Sequence, residues 1–265
     1  SLAEMDRIEA AEARTGRYCS SVFQWRFGSG GQYLKQLIQT NALGRPLVAN
    51  VLTTWYRNAA YYAVPWRGKW ETELGGVTMN HGIHAIDFFL WLYGEWREVR
   101  AMMGTLVHDI DVEDVSMAMV RFANGAMGNI TNSVLSPREE SYLRFDFADA
   151  TVELTHLYRY TNAGWRYSAP RGGLTDERLA QLAQIPDDYL SSHDQQLALL
   201  LDSMDAGTRP DASGPDVRPT LEFLAALYKS AMTGAPVLRG EIGPDDPFYH
   251  RMCGPCDLAW QHPRK

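Results

Sequence analysis

The chain has 265 residues, of which 45% are hydrophobic and 22% charged, and its formal net charge is −7. These values are typical of a globular protein that buries a core without metal or disulfide staples. The acidic balance argues against a nucleic-acid partner, which needs a basic face. The sequence contains no run of about 18 apolar residues, so no membrane span is predicted. Three cysteines and the lack of a signal peptide predict a cytoplasmic protein.

The first third of the chain alternates helix and strand patterns. Apolar residues at three- and four-residue spacing predict a helix over 2–15, which Gly16 ends. Aromatic and β-branched residues predict a strand over 18–27. The further elements predicted here are a turn at 28–31, a helix over 33–41, a strand over 47–57 and a long buried helix over 75–93.

From residue 99 to about residue 167 the pattern changes to short alternating segments, which predict strands. The pair Asn124-Gly125 between two of these segments is a strong hairpin signal. The predicted elements are strands over 115–122, 126–134, 142–147 and 151–157, followed by helices over 192–206 and 217–232. This order predicts an α+β fold, with a large, open, mostly antiparallel sheet and helices packed on one face.

Three polar residues of the long helix, Asn80, His84 and Asp87, lie four and three residues apart, and this spacing places them on one face. A histidine suits proton exchange because its pKa lies near neutral pH. The competing interpretation of His84 is a buried histidine with a structural role. His81 and His84 could together bind a metal, but no carboxylate cluster accompanies them, so we predict no metal site.

The end of the chain carries two motifs that could indicate a redox site or a zinc site. Cys253-Gly254-Pro255-Cys256 is the motif of thioredoxin-like oxidoreductases, but it lies nine residues from the C-terminus without a surrounding βαβ unit. His250, Cys253, Cys256 and His262 also have a spacing like that of zinc ligands. We favour a surface tail with idle cysteines over both interpretations.

Several motifs recur along the chain in an order that is known from one family. The most specific block is Gly75-Gly76 followed by His84-Ala85-Ile86-Asp87. Individually weaker motifs are Trp25-Arg26-Phe27, Leu43-Gly44-Arg45-Pro46, Pro65-Trp66-Arg67, Ala226-Leu227-Tyr228-Lys229 and Asp245-Asp246-Pro247-Phe248-Tyr249. Over nearly its whole length the chain resembles the C-terminal part of Gfo/Idh/MocA-type NAD(P)-dependent oxidoreductases. The resemblance implies their C-terminal fold, which is similar to that of dihydrodipicolinate reductase.

Members of that family carry an N-terminal Rossmann domain that ends in a Glu-Lys-Pro motif, and this chain begins where that motif would end. The nearest glycine-rich candidate, Gly28-Ser29-Gly30-Gly31, departs from Gly-x-Gly-x-x-Gly at Tyr33. The resemblance implies that residues 1–27 are the last helix and strand of a missing Rossmann domain. Residues 28–265 are then a C-terminal domain for substrate binding and oligomerisation. We expect NAD or NADP to bind mainly to the absent domain, and this chain alone to be inactive.

The resemblance also assigns roles to individual residues. His84 matches the family's acid–base histidine, and Asn80 falls where many members carry an aspartate. An asparagine orients but takes no proton, which leaves the direction and efficiency of oxidation open. The residues implied in substrate binding are Arg26, Trp66, Arg67, Lys69, His193 and Tyr158. Of these, Arg26 and Trp66 are also expected at the edge of the cofactor.

The implied activity is hydride transfer between NAD(P) and a sugar, inositol or sugar-derived acid. The expected assembly is a homodimer or tetramer that forms through the sheet face. One alternative is an NAD-dependent glycosidase, which oxidises its sugar only transiently. Another is a non-catalytic sugar-binding or dimerisation module, which Asn80 mildly favours and His84 disfavours. The substrate and the choice between NAD and NADP stay open.

Overall fold

The computed structural model describes residues 1–255, and its eight strands form a single sheet. The strands are β1 (Pro46–Thr54), β2 (Trp96–Gly104), β3 (Val115–Phe122), β4 (Met127–Ser133), β5 (Glu140–Phe147), β6 (Thr151–His156), β7 (Trp165–Ser168) and β8 (Val237–Leu238). Their order in the sheet is β7-β6-β5-β1-β4-β3-β2-β8. All neighbours are antiparallel except β1 and β4, which are parallel. The prediction of a large, open, mostly antiparallel sheet is confirmed.

Nine α-helices accompany the sheet in the described part of the chain. They are α1 (Leu2–Thr15), α2 (Ser29–Gln39), α3 (Ala59–Tyr62), α4 (Trp70–Glu73), α5 (Ile83–Tyr93), α6 (Asp176–Leu182), α7 (His193–Ala206), α8 (Arg218–Thr233) and α9 (Pro247–His250). Short 3-10 turns lie at Gln24–Phe27, Asn162–Gly164 and Gly214–Asp216, and a π-helix at Thr78–Gly82 runs into α5. Within residues 1–255, none of the helices has the length and apolar character that crossing a membrane requires.

The core lies between the sheet and the helices α5 and α8. Alternate residues of β3, such as Val120 and Phe122, are buried against it, and so are Phe89 of α5 and Phe223 of α8. This alternation is the one expected of a sheet with one covered face. On the other face the side chains between these core positions point outward, and exposed methionines occupy them: Met102, Met117, Met119 and Met127.

The predicted strand over 18–27 is wrong. The structure has only an isolated bridge between Ser20 and Ser213 and the 3-10 turn Gln24–Phe27. All four residues of this turn are buried, and the Phe23 amide donates to the Gln196 side chain at 3.0 Å. Aromatic residues that favour strands are therefore buried here from several sides, without a neighbouring strand. The interpretation of residues 1–27 as part of another domain stays a prediction.

The glycine run at 28–31 is the start of α2, with Gly28 as its N-cap, instead of a free turn. A Cβ atom on Gly30 would lie 2.1 Å from Trp165 Nε1, and one on Gly31 would lie 2.4 Å from the Tyr160 hydroxyl. The glycines therefore let α2 approach these two aromatic side chains closely. This close approach is sufficient to explain the four-residue glycine-rich run, and no phosphate ligand is needed to explain it.

Candidate functional site

The segment that carries the predicted chemistry begins differently from its prediction. A continuous helix was expected over 75–93, whereas the structure has the π-helix at Thr78–Gly82 followed by α5. A π-helix closes its hydrogen bonds over five residues, so it changes the angular relation between the residues on its two sides. The four-residue spacing of Asn80 and His84 therefore does not place them on one face of a regular helix.

His84 forms part of the wall of an apolar pocket of about 340 Å³, which lies between α1, the residues before Gln24, α5 and α8. The centroid of its ring is 6.2 Å from that of Phe23 and 6.3 Å from that of Trp25. Its Nδ1 atom is buried and has no hydrogen-bond partner among the described residues. Burial, and then the nearby His193, lower the pKa of His84 to about 4. The imidazole is therefore neutral at pH 7.

Asp87 is fully buried and pairs with Arg26. The guanidinium donates from Nε to Oδ2 at 2.7 Å and from a terminal nitrogen to Oδ1 at 2.5 Å. Thr220 Oγ1 donates to the same carboxylate at 2.8 Å, and Arg26 also donates to the Asp216 carbonyl at 3.1 Å. The Asp87 carboxylate therefore has a structural partner in Arg26. Arg26 lines a neighbouring pocket of about 430 Å³, and its contact with substrate or cofactor stays a prediction.

Asn80 is exposed and lies in the π-helix. Its side-chain Nδ2 donates to the Gly75 carbonyl at 2.7 Å, and its backbone amide donates to the Gly76 carbonyl at 2.9 Å. Both bonds hold Asn80 against the turn that precedes the helix. A direct role for Asn80 beside His84 stays a prediction.

Aromatic rings link two further predicted residues to His84. The ring of Tyr158 lies 5.8 Å from Trp55 and 6.2 Å from His193. Trp25, whose ring lies beside His84, donates from Nε1 to the Tyr158 carbonyl at 2.9 Å. Tyr158 and His193 are both exposed. The structure therefore brings His84, His193 and Tyr158 together around two buried tryptophans.

His81 is a site residue for which sequence analysis considered only metal binding. Its ring is perpendicular to that of Trp55 at 5.6 Å and lies 6.1 Å from Tyr61. Burial, and then the positive charges of Arg57 and Arg67, lower the pKa of His81 to about 3. Its Nδ1 atom is buried without a hydrogen-bond partner among the described residues. A second neutral imidazole therefore lies beside two arginines, a juxtaposition that only the fold creates.

The remaining predicted residues lie on the segment between α3 and α4. The Arg67 guanidinium lies 3.8 Å from the ring centroid of Tyr61 and 4.2 Å from that of Trp66, and it pairs with Glu73 at 3.1 Å. Trp66 is 48% exposed and Lys69 is also exposed. Arg67 therefore connects this segment to Tyr61, which lies beside His81, and the ring of Trp66 is open to solvent.

Three buried histidines predict that acid destabilises the fold. Burial lowers the pKa of His81 to about 3, of His84 to about 4 and of His156 to about 3. The unfolded chain binds protons from about pH 6.5 downward, whereas the folded chain does so only near pH 3–4, so stability is lost as the pH falls. We expect His156→Gln to reduce the loss of unfolding free energy between pH 7 and 5.5 by on the order of 1 kcal/mol.

Urea unfolding of wild type and His156→Gln at both pH values measures this difference. His250, which is exposed, provides the control variant His250→Gln, for which the pH dependence should equal that of wild type. An identical pH dependence in all three proteins would contradict the prediction.

The competing motifs at the end of the chain fall partly outside the described residues. Cys256 and His262 lie there, so the redox motif is described only at its first cysteine and the zinc-like set only at His250 and Cys253. Cys253 is buried, so the predicted surface tail is wrong at this residue. Between residues 1 and 255, no group of three or more His, Cys, Asp or Glu side chains is arranged to hold a metal ion.

Comparison with known proteins identifies the fold. Residues 32–155 match the sequence profile of the GFO/IDH/MocA C-terminal domain. The chain is similar to the WlbA dehydrogenase from Bordetella pertussis, solved with NADH and UDP-GlcNAcA, at 25% identity and a TM-score of 0.75. That match covers 90% of this chain and 69% of WlbA. The chain therefore contains the C-terminal domain of the Gfo/Idh/MocA family.

More distant relatives share this domain. Levoglucosan dehydrogenase from Pseudarthrobacter phenanthrenivorans is 24% identical over 149 residues, which are 47% of this chain and 38% of that protein. Aldose-aldose oxidoreductase from Caulobacter crescentus has the same fold, with a TM-score of 0.68 at 20% identity over 90% of this chain and 69% of that one. The match therefore spans well under half of the curated relative, so activity, substrate and partners of the whole protein are matters for proposal.

Proposed function

We propose that this domain forms the substrate side of an NAD(P)-dependent dehydrogenase acting on a sugar or sugar derivative, and that His84 is its acid–base group. The observation that carries the proposal is the position of His84 in the wall of an apolar pocket, with an imidazole that is neutral at pH 7. A neutral imidazole at a pocket is suited to accept the proton of a substrate hydroxyl. The dehydrogenases and oxidoreductases among the similar proteins support the same reaction class.

In this mechanism the substrate hydroxyl donates its proton to His84. Because burial lowers the pKa of His84, the imidazole is unprotonated at neutral pH, and the same shift weakens it as a base. Phe23 and Trp25 pack around the ring and limit its contact with water, and His193 lies close enough to influence its charge. A nicotinamide cofactor, when bound, would accept the hydride from the same carbon.

The described residues do not fit the cofactor itself. They form one sheet, and the glycine run at 28–31 packs against aromatic side chains instead of following a strand. A dinucleotide site needs a glycine-rich turn between a strand and a helix. We therefore assign the cofactor site to a separate dinucleotide-binding domain.

We propose that the substrate carries a negative charge. Arg57 and Arg67 both lie over the ring of Tyr61, at 5.3 Å and 3.8 Å, and both are partly accessible. Arginine binds carboxylates and phosphates through paired hydrogen bonds, and the exposed ring of Trp66 offers an apolar face to a sugar. The WlbA relative was solved with UDP-GlcNAcA, a ligand that agrees with this preference.

The test is an assay of the protein expressed from its complete reading frame with NAD or NADP. The substrates offered are neutral sugars, inositols, sugar acids and chromogenic glycosides, and the measurements are the absorbance of the reduced cofactor and that of the released aglycone. Net reduction with a sugar acid supports the proposal. Release of an aglycone without net reduction favours a glycosidase, and binding without turnover favours a non-catalytic module.

We also propose that two copies associate through the open face of the sheet. Its four methionines are 44% to 79% exposed, and Met102 pairs directly with Met117 across β2 and β3. A contiguous apolar patch on a sheet face is typical of an interface. In analytical ultracentrifugation we expect wild type to sediment as a dimer or tetramer, and Met117→Glu/Met119→Glu to shift it toward monomer.

The control for this prediction is Met204→Glu, which introduces the same charge at an equally exposed methionine on α7, away from the sheet. It should leave the oligomeric state unchanged. A wild-type protein that is monomeric at all concentrations tested contradicts the proposed association.

A further inference from the structure

Two consecutive acidic residues, Glu113 and Asp114, lie in the connection between β2 and β3 and are fully buried. Buried carboxylates are costly unless hydrogen bonds replace their contacts with water. Asp114 accepts backbone N–H bonds from Leu106, Val107 and His108 at 2.8, 2.9 and 3.1 Å, all within its own connection. Its neighbour Glu113 bonds to a different part of the chain.

Glu113 bonds to the residues at which the His84 segment begins. Its Oε2 accepts the Gly76 amide and its Oε1 the Thr78 amide, both at 2.9 Å, while its backbone carbonyl accepts the Val77 amide at 3.1 Å. Tyr228 of α8 donates its hydroxyl to Oε1 at 3.0 Å. The first amides of a helix lack partners within the helix, and a negative charge there is favourable. Glu113 supplies the acceptors, and burial raises the pKa of its carboxyl group.

Steric fit allows little freedom in this arrangement. A Cβ atom on Gly76 would lie 1.8 Å from the Glu113 carbonyl oxygen, and one on Gly75 would lie 2.0 Å from the Tyr228 hydroxyl. Thr78 continues the contact by donating its hydroxyl to Ser116 of β3 at 2.8 Å. The start of the π-helix is therefore clamped between the β2–β3 connection, β3 and α8.

We propose that Glu113 is a positioning residue that sets where His84 lies in its pocket. Fixing residues 76–78 fixes the start of the π-helix, and His84 follows that π-helix within one turn of α5. A displacement at this anchor is transmitted along the helix because its backbone is rigid over so short a distance. The inference rests on the proposed function only in giving His84 the role of the base; the anchoring is a property of this chain.

The test is Glu113→Gln, measured through His84 in the 265-residue chain. A glutamine directs an NH₂ group at one of the two backbone amides, so a donor faces a donor and one bond is lost. Burial sets the low pKa of His84, so a shift of the helix should expose the ring. In ¹⁵N-histidine NMR titrations, with the His84 signals assigned through His84→Gln, we expect the pKa to rise by roughly one unit.

The matched control is Asp114→Asn, an equally buried neighbour whose carboxylate accepts three backbone N–H bonds where that of Glu113 accepts two. It should lose stability without changing the His84 ring signals or their titration. If Glu113→Gln leaves these signals unchanged, or Asp114→Asn shifts them equally, the inference is overturned.

A second variant covers the case in which Glu113→Gln does not fold. Tyr228→Phe keeps the ring and removes the hydroxyl that donates to Glu113. We expect a smaller rise of the His84 pKa in the same direction, and an unchanged titration overturns the inference. These readouts need no turnover, so they stay distinct from a failure of the proposed dehydrogenase activity.

Discussion

Replacing His84 with glutamine is expected to lower kcat for sugar oxidation by roughly 10²–10⁴-fold, the range that a positioned acid–base group contributes. The measurement uses the protein expressed from its complete reading frame, as in the assay of the proposed function. Glutamine is close to histidine in size and can still hydrogen-bond to a hydroxyl, so KM should change far less than kcat. Loss of the proton acceptor, and not loss of binding, is then the cause of the slow rate.

The pH profile separates this effect from general damage. Because the pKa of His84 is lowered to about 4, the wild-type imidazole stays unprotonated through neutral pH. Its rate of oxidation should therefore fall only as the pH approaches that value, since protonation removes the base. His156→Gln is the matched control, a similarly buried imidazole whose pKa burial lowers to about 3. If it slows turnover as much as His84→Gln, His84 is not the base.

Replacing Asp87 with asparagine is expected to destabilise the fold by about 3–5 kcal/mol, the usual cost of leaving one partner of a buried ion pair without the other. Asp87 is fully buried, and the side chain of Arg26 is 6% exposed, so water cannot replace the lost carboxylate charge. The pair joins the 3-10 turn before α2 to α5, and Thr220 adds α8. Urea unfolding at pH 7 measures the loss.

The comparison variant is Glu139→Gln, which breaks the Arg57–Glu139 pair at 3.2 Å, where the side chains are 25% and 40% exposed. An exposed pair of this kind contributes only about 0–1 kcal/mol. The double variant Arg26→Met/Asp87→Leu should recover much of the loss, because it leaves no buried charge unpaired. Equal losses for Asp87→Asn and Glu139→Gln would show that burial does not govern the strength of these pairs.

The parts of the fold that sequence analysis predicted well depend on local pattern. The strand over 115–122 has its predicted bounds, and the Asn124-Gly125 turn that follows it fixes its partner. The strand predicted over 18–27 failed because its aromatic residues are buried by several helices instead of a neighbouring strand. A one-dimensional pattern does not distinguish these two environments. The π-helix was missed for a related reason, since the amides at its start bond to Glu113, which is more than 30 residues away in the sequence.

In the candidate site too, residues marked by a local sequence pattern were predicted, and residues brought together only by the fold were not. His84 was singled out from its spacing and its surrounding motif, and both are local in the sequence. Trp55 and Arg57, by contrast, directly follow β1, and they lie near His81 only when the sheet is assembled. The role of Glu113 was not predicted, because Val112-Glu113-Asp114 has the composition of an exposed acidic loop, whereas in the structure all three residues are fully buried. The one feature of the sequence that could have indicated this role is an acidic pair between two predicted strands.

The single parallel pairing in the sheet has a consequence for how the chain folds. β1 lies between β4 and β5, yet it precedes both by more than 70 residues in the sequence. During synthesis β1 therefore emerges with no partner, whereas β3 and β4 close as a local hairpin within microseconds. The central strand is enclosed only after β5 is complete, and such distant pairing slows folding. A nascent chain paused before β5 thus presents an apolar strand that a chaperone would have to protect.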